Sequence, residues 1–291
     1  MSQLRSGHAA STSTPKKPRR RRRPGWVPNH HGAWAMLAVP YFVGTFGFRT
    51  AASFATATTA PATADPHPAL VLLLLGLTWF AGYFAFFATG LWFTSHFKAK
   101  YLPPVRAYAL VTVLLGLALV FLRPVLAWWA LPYAPLLAAS LWCSYTRRDR
   151  SLFNDSLTVL AACLMLPVAA SIFDASAHLV WPAAAMVFAY FFGTVLYVKT
   201  MIRERNSRTY LRASIGYHCA LVVLPALFYG LVSQWRASVG VPGLALFTAF
   251  FAGLAVRAVL VPRTHATPKQ VGFGEIGASV VLLVLLLARV G

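Results

Sequence analysis

The sequence predicts an all-α polytopic membrane protein, a bundle of about nine transmembrane helices with a cytoplasmic N-terminus. Three observations carry this. Of 291 residues, 58% are hydrophobic and only 11% are charged, against about 25% charged in ordinary soluble chains. The apolar residues fall in runs close to the roughly 20 residues that a helix needs to cross a bilayer. The basic residues fall between those runs on alternate sides.

Nine runs stand out, at 33–49, 69–93, 105–122, 124–145, 153–173, 178–199, 213–234, 240–261 and 275–290. The first and last are the shortest. The third and fourth are separated by little more than Arg123-Pro124, and Pro124 cannot continue the helix before it, so a tight turn is expected. Pro167 and Pro225 are placed to interrupt the fifth and seventh helices, as proline can in membrane spans.

Lys and Arg total 26 against 6 Asp and Glu, a formal charge of +20. With the N-terminus inside, the inner segments carry 22 of these cations and the outer segments four, Arg49, Arg123, Arg236 and Arg289. That is the distribution of the positive-inside rule. It accounts for most of the charge without invoking nucleic acid. Trp26, Trp34, Trp92, Tyr101, Trp142, Tyr145, Tyr197 and Tyr210 fall near the expected inner boundaries, where amphipathic rings favour the headgroup layer.

Residues 1–25 read as a disordered basic cytoplasmic tail, and 26–291 as a single transmembrane helical domain. The run Arg19-Arg20-Arg21-Arg22-Arg23 is expected to anchor topology and lie against anionic lipid headgroups. Cleavage as a signal peptide is not expected, because the apolar stretch that follows carries Pro40 and several glycines. Residues 50–68 form the longest outer loop. Cys143, Cys163 and Cys219 lie far apart without a CxxC pair, so neither a disulfide framework nor a zinc site is implied. The sequence offers no metal-ligand spacing, P-loop or nucleophile–base constellation, and it names no cofactor.

The polar residues are one-sided. His30, His31, His96, Lys98, Asp149, Asp155, Lys199, Arg203, Glu204, His218, Arg257, Lys269 and Glu275 all fall toward the inner side. The positive-inside rule does not explain the acids and histidines among them, whereas a cytoplasm-facing polar pocket would. Intramembrane ionisable groups are costly and mark function by default.

Lys199 and Arg203 are four apart and share a helical face. They suit a phosphate or carboxylate, with Arg as a fork and Lys as a point charge, or else they snorkel to lipid headgroups. Glu204 is expected to pair with Arg208. Asn154 and Asp155 open the fifth span, either capping it or facing the pocket. His218 lies more than a turn inside the seventh span, as a hydrogen-bonded core residue or a proton carrier. Arg257 should seek Glu275 or Asp155. Gly272 and Gly274 are expected to precede the ninth helix, whose first amides could meet an anion. The expected ligand-binding set is therefore His31, Asn154, Asp155, Lys199, Arg203, His218, Arg257 and Glu275.

The opening Pro28-Asn-His-His-Gly-Ala-Trp-Ala-Met36 resembles the Pro-x-x-His-Gly-Ala-Trp-Ala-Met start of YwiC-like bacterial membrane proteins. Lys199-Thr-Met-Ile-Arg203-Glu-Arg205 and the Gly-x-x-Glu at 272–275 are similar to that family as well. The resemblance spans about 24–291. It implies an integral membrane protein of bacteria and supplies no reaction. Nine helices with polar inner loops more distantly resemble UbiA-type prenyltransferases. Those carry two Asp-rich motifs for magnesium and diphosphate, whereas here Asn154-Asp155 is followed by Ser-Leu-Thr158. Four functions follow as expectations: a pocket protein for an anionic or amphipathic small molecule, a lipid or prenyl transferase, a permease or transporter, and a noncatalytic membrane assembly factor.

Overall fold

The computed structural model describes residues 25–28, 31–48, 68–264 and 266–290, without the side chains of His31 and Val290. The run Arg19–Arg23, His30 and all but the last residue of the outer loop expected at 50–68 lie outside the described residues.

The described residues form eleven α-helical segments: α1 (His31–Phe46), α2 (Pro68–Thr94), α3 (Leu102–Leu122), α4 (Ala130–Tyr145), α5 (Leu152–Cys163), α6 (Met165–Ala170), α7 (Ala177–Ile202), α8 (Arg208–Leu221), α9 (Leu224–Leu231), α10 (Ser233–Leu260) and α11 (Pro268–Val290). Segments α5–α6 and α8–α9 each make one span. Among the described residues, eight helical spans are long and apolar enough to cross a membrane, and α1 is a shorter apolar helix. At 16 residues α1 is about 24 Å long, short of a bilayer core of about 30 Å. It is held by protein, packing on α5, α6, α7 and α11.

The boundaries follow local chemistry. Arg123, forced out of the helical region by Pro124, has φ −138° and ψ 82°, which ends α3. A 3₁₀ turn from Pro124 to Trp129 then leads straight into α4. Pro167 and Pro225 each sit in the first turn after a break, dividing α5 from α6 and α8 from α9. Gly240, at φ 64° and ψ 178°, breaks α10 near its start; only glycine takes that conformation readily.

The last helix begins earlier than its apolar run. Thr267 and Gln270 form a reciprocal cap, with Thr267 N donating to Gln270 Oε1 at 2.8 Å and Gln270 N donating to Thr267 Oγ1 at 3.3 Å. This capping box starts α11 at Pro268, so Gly272 and Gly274 lie inside the helix rather than before it. Hydrophobicity marks where a helix meets lipid, while caps mark where it starts.

Helix α7 is the axis of the bundle, in contact with α1, α5, α6, α8, α9, α10 and α11. Its own Ala183, Met186 and Val187 pack with Val43, Leu166, Phe247, Phe251, Leu282 and Leu286, all fully buried. Helices α2 and α3 pack together at the side, joined to α6 through Val71, Leu75, Leu119 and Ala169. By contrast, α3 and α4 leave most of their apolar surface open, with Phe121 85% and Leu131 66% exposed. Helices apolar on all sides yet so little covered fit lipid contact and not water.

The junctions carrying the basic residues gather at one end. Thr94 Oγ1 donates to the Ser144 carbonyl at 3.1 Å, Lys199 Nζ to the Arg150 carbonyl at 2.8 Å, and Arg205 Nη2 to the Thr264 carbonyl at 3.5 Å. At the other end Arg123 Nη2 donates to the Ile172 carbonyl, and Ser176 bonds Gln234. The alternation read from charge is thus the alternation of the bundle.

Candidate functional site

Between α1, α7 and α11, toward the basic end, lies a cavity of about 840 Å³, within the range of small-molecule sites. From α7 it is lined by Phe191, Thr194, Val195, Val198, Lys199 and Ile202, followed by Arg203. These residues repeat at three and four, so they form one stripe of the helix about 18 Å long. Helix α11 runs alongside and contributes Lys269, Gly272, Glu275 and Ser279, α1 contributes Gly32 and Met36, and α5 contributes Asp155.

Two ion pairs border this space. Lys199 Nζ lies 2.7 Å from Asp155 Oδ2, with the Lys199 side chain 9% and the Asp155 side chain 25% exposed. Burying both charges in a pair avoids leaving either uncompensated. Arg257 Nη1 bonds Glu275 Oε1, and Thr194 Oγ1 donates to Glu275 Oε2 at 2.8 Å. The Arg257 guanidinium lies 4.1 Å from the Tyr197 ring centroid, a cation–π arrangement. Its Nε and Nη2 are buried without a hydrogen-bond partner among the described residues. Behind Glu275, the Ser279 hydroxyl donates to the Glu275 carbonyl at 2.7 Å and the Tyr190 hydroxyl to the same oxygen at 3.0 Å.

The structure divides the expected residues. Asp155, Lys199, Arg203 and Glu275 line one cavity, and Arg257 stands behind Glu275. Asn154 does not join them. Its Oδ1 accepts from Ser140 Oγ at 2.6 Å and its Nδ2 donates to the Asp149 carbonyl at 2.8 Å, which ties α4 to α5. The cap of α5 is Ser151, whose side chain accepts from Asn154 N. His218 is fully buried on α8, its Nδ1 2.7 Å from the Ser214 carbonyl, and it does not line the cavity. The Glu204–Arg208 pair does not form, because α7 stops at Ile202 and the helical spacing lapses. The His31 side chain lies outside the described residues, although its neighbour Gly32 is at the cavity wall. Thr194, Lys269 and Ser279 were not singled out as ligand residues. Extending the Lys199/Arg203 stripe back one and a half turns would have reached Thr194.

Among the described residues no three His, Cys, Asp or Glu side chains come together to hold a metal ion. The two carboxylates at the cavity are each committed to a cation.

The bundle, its lipid-facing helices and its one-sided polar end define a multi-pass helical membrane protein. Residues 27–170 match the model of the YwiC-like protein family, and over that stretch the chain is similar to YwiC-like proteins. The matched segment includes the His31-Gly-Ala-Trp-Ala-Met36 opening and Asp155, while the Lys199 stripe and α11 lie beyond it. The chain is 27% identical over 206 residues to the Bacillus subtilis protein described as uncharacterised protein YwiC, covering 69% of this chain and 77% of that one. It is 29% identical over 271 residues to an uncharacterised protein of Haemophilus influenzae, covering 90% of this chain and 97% of that one. No solved structure matches.

Proposed function

We propose that this protein resides in the bacterial cytoplasmic membrane and binds an anionic, amphipathic small molecule in the α1–α7–α11 cavity, entered from the cytoplasmic side. One observation carries the reading. The cavity has long apolar walls, from Met36, Phe191, Val195, Val198 and Ile276, and its lining includes the exposed cations Arg203 and Lys269. Such walls suit a hydrocarbon portion, and the cations suit an acidic group. The 22-to-4 split of basic residues supports a cytoplasmic opening. The run Arg19–Arg23 adds attraction to anionic headgroups on that face.

Native mass spectrometry of protein extracted gently from its own membrane tests this. The reading expects one discrete acidic amphiphile per chain, lost when Arg203 and Lys269 are both changed to Gln. Recovery of bulk lipid alone, unchanged in the double variant, overturns it.

A further inference from the structure

The charge at the cavity is unequal. Asp155 and Glu275 are each neutralised, by Lys199 and by Arg257. Arg203 and Lys269 also belong to the lining, are exposed, and make no ion pair among the described residues. Two positive charges are left over at one rim. Lys269 Nζ is also 5.8 Å from the centroid of the Phe273 ring, itself a lining residue.

A monocarboxylate would balance one of these charges. A phosphate monoester carries about −1.5 to −2 near pH 7 and three strong acceptor oxygens, so it balances both. Arg203 can engage it through a two-toothed contact and Lys269 as a mobile point charge. Between this rim and Phe191 the α7 stripe presents Val195, Val198 and Ile202, enough apolar wall for one extended chain. Gly32 and Gly272 widen the space: a Cβ built on either meets nothing within 4 Å.

We propose that the cavity selects a single-chain phosphate monoester, with its dianionic head between Arg203 and Lys269 and its chain along the α7 stripe. The proposal rests on the amphiphile reading above and narrows it to one head and one chain.

The test uses the full chain in phosphatidylcholine nanodiscs, titrated separately with dodecyl phosphate, laurate, inorganic phosphate and phosphatidic acid. Dodecyl phosphate should bind at least tenfold tighter than laurate, and tenfold tighter than inorganic phosphate or two-chain phosphatidic acid. Arg203→Gln/Lys269→Gln should remove the preference over laurate. Gly272→Leu should abolish binding of the chain-bearing ligands while leaving the thermal transition unchanged or higher. Equal affinity for laurate and dodecyl phosphate overturns the phosphate assignment and leaves the amphiphile reading standing. Equal binding of inorganic phosphate overturns the chain. Equal binding of phosphatidic acid means recognition of a bulk lipid headgroup, and overturns the single-chain claim. No binding of any probe overturns both readings.

Discussion

Lys199 Nζ and Asp155 Oδ2 stand 2.7 Å apart, and this contact fastens the central helix α7 to the start of α5. The same lysine donates to the Arg150 carbonyl at 2.8 Å. Lys199 is therefore a strut of the cavity wall, while Arg203, one turn further on, keeps its charge for other partners.

Lys199→Met should lower the unfolding free energy by about 3 kcal/mol, the low end for a broken buried pair, because Asp155 is a quarter exposed. Lys199→Met combined with Asp155→Leu should recover most of it, since no lone charge remains. Thermal unfolding in one detergent checks both. A double variant no more stable than the single would contradict the strut.

The Arg257–Glu275 pair is enclosed more tightly, with side chains 18% and 10% exposed. Glu275→Gln should cost more than Lys199→Met, because it leaves a cation against Tyr197 whose Nε and Nη2 already have no hydrogen-bond partner among the described residues. Thr194→Val removes one hydrogen bond to the carboxylate and should cost about 1 kcal/mol. If the order of these losses were reversed, Glu275 would not be the anchor of this cluster.

Asn154 separates stability from binding. Asn154→Ala removes its bonds to Ser140 and to the Asp149 carbonyl, with an expected loss of about 2 kcal/mol at roughly 1 kcal/mol each. Once folded, the variant should bind any amphiphile as the parent does. Weaker binding at full folding would return Asn154 to the site.

Gly44 sets how closely α1 approaches α6. A Cβ there would fall inside contact distance of the Leu166 carbonyl oxygen and 2.8 Å from Ala169 Cβ. Both neighbours are fixed by backbone, so Gly44→Ala should destabilise by about 1–3 kcal/mol through overpacking. A melting temperature unchanged in Gly44→Ala would contradict this close packing.

The fold was largely legible because lipid imposes one rule on every span. Hydropathy found nine apolar runs, charge found their sides, and Pro124, Pro167 and Pro225 marked interruptions that the structure contains. Helix starts were less legible, since Thr267 and Gln270 act through local hydrogen bonds that leave no apolar signature. Part of the candidate site was legible as charge: Asp155, Lys199, Arg203, Glu275 and the Arg257 pairing. Asn154 and His218 are also polar residues near the inner side, but which neighbour each meets depends on helix rotation, which composition does not encode. Thr194 and Ser279 were missed because a hydroxyl in a membrane helix is common, and its own backbone usually satisfies it.

The most direct test places one bulky side chain in the cavity. At Gly272 and at Gly216 a Cβ meets nothing within 4 Å, but only Gly272 lines the cavity. Occupancy by a co-purified acidic amphiphile should be compared by native mass spectrometry in Gly272→Leu and Gly216→Leu. The cavity reading predicts loss of the bound species in Gly272→Leu and full retention in Gly216→Leu. Equal retention in both would contradict it.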